Sequence, residues 1–369
     1  MTHSLKGSIL RVLAFSHRVD KRTFLLLHES PTYVRKCLRE LTEEKIVKES
    51  KSAGFKSYAL TLRGETFLRE QDQKMFSFYK NYFGNPGRTQ RHKDIYRRLG
   101  YVTAMLEVAG CSIGTDKPSL AETKISGVTL SRKENTFYSL RELREDQQRE
   151  SRTNMSRASG VIFSDAGSAI AYACCGDTMV MSRMCEMETL ELLKQSMHSV
   201  YAHVEEIQRA ILLVPDDSNM IRLIENTEKN NYIGNLLPCK GKKGIRIPFY
   251  YIPMMRFGCV TLKRLLNFSN VQFKRMCFTA DEMKAAQEQG VGDAIIKGLI
   301  CYEFVSSNIS SLIRIREQHA ENMSGVGIVC DVEQVPFVRL FFTDFPEIKI
   351  RALSTNKINQ FIFGREDVL

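Results

Sequence analysis

Three charged residues near the C-terminus have types and spacing that suit metal-dependent hydrolysis. Asp331 ends an apolar, strand-like run, and Glu347 and Lys349 flank a single residue at the predicted start of another strand. In such a pattern the carboxylates hold Mg²⁺ and the lysine positions or activates a water molecule. Acidic-x-Lys triplets are frequent by chance, however, and Pro336 and Pro346 interrupt the segment. We therefore expect these carboxylates to be turn caps and surface charge, and keep catalysis here as an alternative.

Other patterns for catalysis or cofactor binding are weaker or missing. Asp165, Glu186 and Glu188 form a second acidic group, and we also expect these carboxylates to be turn caps and surface charge. The sequence contains no P-loop motif, no G-x-S-x-G and no H-E-x-x-H. None of its ten cysteines lies in a C-x-x-C pair. We predict a reduced, cytoplasmic protein without disulfides, bound metal or cofactor.

The positive charge is confined to one end of the chain. The net charge is +11, and the first 100 residues hold 21 Lys and Arg against 10 Asp and Glu. The remaining residues carry 32 of each sign, so their net charge is zero. A module that binds a polyanion, attached to a neutral domain, would produce this asymmetry.

The first 70 residues have the pattern of three helices followed by a hairpin. Apolar spacing predicts helices over 4–16, 21–28 and 31–43, the last two with Asp20 and Ser30 as N-caps. Short strands are predicted over 46–49 and 57–61, joined by a basic loop that contains Gly54. This order predicts a winged helix-turn-helix.

The segment from residue 41 to residue 64 resembles the recognition helix, wing and following segment of bacterial winged-helix DNA-binding proteins. The resemblance implies that the third helix enters the major groove with its N-terminal residues nearest the base edges. Thr32, Tyr33, Arg35 and Lys36 are then the candidates for base contacts. The candidates for phosphate or minor-groove contacts are Arg39 on the helix and Lys51 and Lys56 on the wing.

The rest of the chain predicts a helical connection and an α/β domain. An aromatic-rich helix is expected over 62–83, either for homodimerisation or for docking on the second domain. A hinge at 84–87 and a basic helix over 89–109 follow. Beyond them, helices and strands alternate as in a mixed-sheet α/β domain, with a helix over 136–154 and strands that include 178–181 and 338–342. The predicted domains are 1–83 (winged helix), 84–135 (basic linker) and 136–369 (α/β).

Arg91-His92 and the segments 137–142 and 156–161 extend the resemblance to the whole chain. It resembles winged-helix proteins of bacterial plasmids and conjugative elements, of the replication-relaxation type. That resemblance implies a non-catalytic protein that binds double-stranded DNA and acts in transcription regulation, replication or the relaxosome. A protein partner for the C-terminal domain is also expected. Two alternatives stay open: a metal-dependent, restriction-endonuclease-like nuclease, and an adaptor whose winged helix does not bind DNA. No membrane contact is expected, and we expect no signal peptide, because residues 1–10 contain no apolar stretch.

Overall fold

A computed structural model describes residues 4–52, 55–83, 90–114, 117, 135–145, 157–164, 166–175, 185–191, 193, 207–229 and 247–363. Across these residues the chain is a mixed α/β protein built around three β-sheets. The predicted hinge at 84–87 and the predicted strand over 178–181 lie outside them.

The N-terminal elements pack around a small sheet with the strand order β1-β3-β2. The predicted caps are confirmed, because Asp20 and Ser30 accept hydrogen bonds from the backbone N–H groups of Arg22 and Tyr33. The second helix is shorter than predicted, since residues 25–27 form i→i+3 turns in place of α-helical bonds. The elements are α1 (Leu5–Ser16), β1 (Val19–Asp20), α2 (Lys21–Phe24), α3 (Pro31–Glu43), β2 (Val47–Ser52) and β3 (Phe55–Leu60).

Two helices, α4 (Leu62–Gln71) and α5 (Gln73–Phe83), replace the single helix expected over 62–83. The break is at Asp72, which has an extended backbone and caps α5 through a hydrogen bond from the Met75 N–H. Two aromatic residues of α5 pack inside the chain: the ring centroids of Phe78 and Phe15 of α1 are 4.3 Å apart, and Tyr79 is buried. Packing within the chain therefore accounts for these two residues. The basic helix is α6 (Gln90–Val108), which packs against both α1 and the large sheet.

The largest sheet has the order β4-β5-β6-β7-β8, with an antiparallel β4-β5-β6 part and a parallel β6-β7-β8 part. The helix expected over 136–154 is wrong at its start. Residues 136–139 form β4, where Phe137 and Tyr138 are buried and pair with β5. The elements of this sheet and the helices between its strands are β4 (Thr136–Ser139), α7 (Leu140–Glu145), β5 (Ala158–Ser164), β6 (Gly167–Ala173), β7 (Arg209–Val214), α8 (Asp217–Lys229) and β8 (Phe249–Pro253).

A second α/β layer follows, with a sheet in the order β12-β11-β10-β9 and three parallel strands. The strand expected over 338–342 is wrong: these residues continue a helix that has Pro336 in its first turn, where proline is tolerated. The elements of this second layer are α9 (Arg256–Asn267), α10 (Asn270–Cys277), α11 (Ala280–Gln289), β9 (Ala294–Ile296), β10 (Leu299–Glu303), α12 (Ile309–Gln318), β11 (Val326–Asp331), α13 (Val335–Phe341), β12 (Lys349–Leu353) and α14 (Thr355–Phe363).

The N-terminal elements share their hydrophobic core with the large sheet. Residues of α1, α3, α6, β6 and α9 belong to one continuous buried cluster. At its edge, Arg256 at the start of α9 donates to the Leu26 carbonyl over 3.0 Å and lies 3.5 Å from the Glu29 carboxylate. The turn that leads into α3 is thereby tied to the α/β part of the chain.

Candidate nucleic-acid interface

Helix α3 is amphipathic, and its apolar side holds it in the N-terminal core. Val34, Cys37, Leu38 and Leu41 are each at most 3% exposed and recur at the i, i+3, i+4, i+7 spacing of one helix face. Ser30 caps the first turn and is followed by Pro31, a favoured first helical residue. The other residues of α3 are exposed or partly exposed.

The exposed side of α3 carries every α3 residue that the sequence nominated for DNA contact. Thr32, Tyr33, Arg35, Lys36 and Arg39 are all exposed. Together they form one polar, mostly basic surface, which we call the α3 face.

Acidic residues in the second half of α3 neutralise part of the α3 face. The Lys36 ammonium lies 4.0 Å from Glu40, and the Arg39 guanidinium lies 3.7 Å from Glu43. Glu40 also pairs with Lys6 of α1 at 3.0 Å, and the hydrogen bond from Lys6 lowers the pKa of Glu40. Exposed pairs of this kind contribute roughly 0–1 kcal/mol, so a stronger anion can replace the carboxylate.

Tyr33 is held in place from the preceding turn. Its ring meets that of His28 edge to face, with the centroids 5.0 Å apart. The His28 ring is in turn fixed by its Nδ1, which accepts a hydrogen bond from the Ser30 N–H over 2.9 Å. The Tyr33 ring therefore packs on the turn that precedes α3.

The β2–β3 hairpin supplies the remaining basic candidates. Its strands extend further toward the tip than predicted, and Lys51 and Lys56 are register partners. Lys56 is exposed and lies 3.2 Å from Glu49. The hairpin follows α3 directly and packs beside it, so both basic elements belong to the same part of the fold.

The candidate metal-binding residues do not converge. Asp331 is the register partner of Leu353, whereas Lys349 pairs with Gly327, four residues earlier on β11. At 3.3 Å per residue the two positions are about 13 Å apart along the strands. Glu347 is exposed in the loop before β12. In the part of the chain that the structure describes, no three acidic, His or Cys side chains are grouped as metal ligands.

Asp331 instead anchors a buried polar network. Its carboxylate lies 2.7 Å from the Arg264 guanidinium and 2.5 Å from the Thr355 hydroxyl, and it caps the turn after β11. Arg264 also donates to Asn359 of α14. The expectation that Asp331 caps a turn is confirmed. Asp331 and Arg264 are both fully buried, so the cap is part of a larger buried network of hydrogen bonds. We call these four residues the Arg264 network.

In the second acidic group, Glu186 also has a structural role. Glu186 is fully buried and accepts a hydrogen bond from the Arg157 N–H over 2.6 Å. Asp165 lies outside the described residues. Glu188 is partly exposed.

Sequence reasoning missed one titratable residue, Glu303 at the carboxyl end of β10. Burial raises its pKa to about 7, although it accepts hydrogen bonds from the N–H and hydroxyl of Ser306. Asp293, whose own carboxylate accepts from the Glu303 N–H, adds to the effect. Nothing in the local sequence marks this position, because its burial depends on α10 and on neighbouring strands.

Comparison with known proteins finds no matching family model, no similar curated protein and no similar solved structure. Among the described helices, none combines the length and apolar character that crossing a bilayer requires. Among the described residues, the α3 face and the hairpin beside it form the surface whose chemistry suits a ligand.

Proposed function

We propose that this protein binds double-stranded DNA through a winged helix formed by the elements from α1 to β3. In this proposal α3 is the recognition helix and the β2–β3 hairpin is the wing. The α3 face is the observation that most directly supports this proposal. Four buried apolar residues fix the helix on one side, and its other side presents a basic, hydrogen-bonding surface. A helix of this kind, docked in the major groove, is how helix-turn-helix proteins contact bases.

The charge distribution supports the same function. The first 100 residues carry the entire net positive charge of the chain, and phosphate neutralisation is the main source of affinity for DNA. Lys36, Arg39 and Lys56 would exchange weak carboxylate partners for phosphates at small cost, since all three pairs are exposed. We assign these three residues to backbone contacts.

In this proposal the α/β part of the chain holds and orients the recognition helix α3. Arg256 contacts Leu26 and Glu29 in the turn before α3, and the N-terminal elements share a buried core with the large sheet. We propose a non-catalytic role as a transcription regulator or as a replication or relaxosome accessory factor, with the α/β part available to a protein partner.

The test is duplex binding measured by fluorescence anisotropy at two salt concentrations. The wild type is compared with Arg35→Ala/Lys36→Ala, and with Arg351→Ala/Lys357→Ala as a control that removes two exposed charges far along the chain. We expect salt-sensitive binding, with a slope of about −0.9 per neutralised phosphate, that only the α3 variant weakens.

Two results would contradict the proposal. Absence of duplex binding by the wild type would favour the adaptor alternative. Binding that both variants weaken equally would show that the α3 face is not the DNA surface. Incubating the same duplexes with Mg²⁺ tests the nuclease alternative, and we expect no cleavage.

A further inference from the structure

The basic residues of α3 differ in whether a carboxylate already binds them. Lys36 and Arg39 each have an acidic neighbour one turn further along the helix. Arg35 is exposed, and among the residues that the structure describes it has no ion-pair or hydrogen-bond partner for its side chain. It is therefore the one guanidinium of α3 that needs to release no partner before it contacts a ligand.

The two flanks of the α3 face also differ. At about 100° per residue, Arg35 and Glu40 project about 140° apart around the helix. The Glu40 flank is occupied, because Glu40 binds Lys6 of α1 and Tyr33 packs on His28. The Arg35 flank bears no such contact within the described residues.

The acidic residues further determine which end of α3 approaches DNA most closely. Glu40, Glu43 and Glu44 lie in or just after the second half of the helix, where their negative charges offset that of Arg39 and reduce the attraction for phosphates. Arg35 and Thr32 lie in the first half, which contains no acidic side chain. The N-terminal half is thus the end that enters the groove.

We propose that Arg35 reads a guanine in the major groove and is the specificity-determining residue of this protein. An arginine donating two hydrogen bonds to the O6 and N7 atoms of guanine is the commonest specific contact in protein–DNA complexes. The inference rests on the proposed function, since it assigns a base to the same DNA surface. Lys36 and Arg39 contribute affinity without sequence preference.

The experiment selects binding sites from a library of duplexes with a randomised core, using the wild type, Arg35→Ala and Lys36→Ala. Every selected guanine is then replaced singly in a fixed duplex, and binding is measured by anisotropy. For one guanine, we expect replacement to weaken wild-type binding about 5-fold to 150-fold and to leave Arg35→Ala binding unchanged. Lys36→Ala should weaken binding to all duplexes by the same factor and keep the preference.

The other outcomes overturn the inference. A guanine preference that persists in Arg35→Ala, or a selected site without guanine, assigns the reading to another residue. If the wild type binds all duplexes equally with a salt-dependent affinity, the proposed function survives and the assignment of Arg35 falls. If the wild type binds no duplex, the proposed function itself fails. Thermal unfolding of each variant checks that the exposed substitutions leave the fold intact.

Discussion

The α3 face and the Arg264 network use the same residue types in opposite ways. On α3, Lys36 and Arg39 pair with glutamates in water, where each pair contributes little and exchanges easily. In the Arg264 network, Arg264 of α9 and Asp331 of β11 are fully excluded from water and bind each other and residues of α14. Charges that remain exchangeable can bind a ligand, whereas charges that are buried and saturated hold elements together.

The largest effect is expected from breaking the buried pair. Arg264→Ala leaves the Asp331 carboxylate buried without its counter-ion, and we expect a loss of about 3–5 kcal/mol in the free energy of unfolding. Urea unfolding followed by circular dichroism measures it. The matched double variant Arg264→Met/Asp331→Asn removes both charges and should recover much of the loss. A single variant that costs less than about 1 kcal/mol would contradict the comparison.

A second effect concerns pH and Glu303. Its folded pKa of about 7 exceeds the ordinary value of 4.5, so the folded state binds this proton more tightly than the unfolded state. Its contribution to stability is full below about pH 4.5 and is lost as the pH rises to about 7, a change of about 3 kcal/mol. The charged and titratable groups around it are Asp293, Lys274, Cys277, Cys330 and Tyr250.

Unfolding free energies of the wild type and Glu303→Gln between pH 4.5 and pH 8 test this sign. We expect the Gln variant to lose the decline that the wild type shows over this range. Glu347→Gln, which changes an exposed carboxylate, serves as the control and should keep the wild-type profile. Equal slopes in wild type and Glu303→Gln would show that Glu303 is not the group that titrates.

The smallest effect on stability is expected on the α3 face. Glu40→Gln/Glu43→Gln removes two solvent-accessible carboxylates, Glu40 from its pairs with Lys6 and Lys36 and Glu43 from its pair with Arg39, so the unfolding free energy should change by less than about 0.5 kcal/mol per pair. Under the proposed function, duplex binding should strengthen about threefold to tenfold, because Lys36 and Arg39 of the α3 face are released and two negative charges are removed. Anisotropy at fixed salt measures it, with the exposed pair Glu317→Gln/Glu321→Gln as control. Weaker binding would mean that the glutamates position the basic residues.

The local elements of the N-terminal region were predictable because their signals are local. Helix α3 occupies the residues that its cap, proline and apolar spacing indicated, and the hairpin strands lie within a few residues of the predicted ones. The exposure of Arg35 and Lys36 followed from the same periodicity. The break at Asp72 was missed, since its extended backbone interrupts apolar spacing that still reads as one helix.

The role of each charged residue in the α/β part was decided by tertiary structure. Asp331 and Arg264 are 67 residues apart in sequence, so neither position reveals the pairing. The spacing of Asp331 and Lys349 in the sequence suggested a metal site. The strand register instead places the two residues at opposite ends of adjacent strands. Periodicity determines which side of an element is apolar, but only the packing of distant elements determines which charges lose their water.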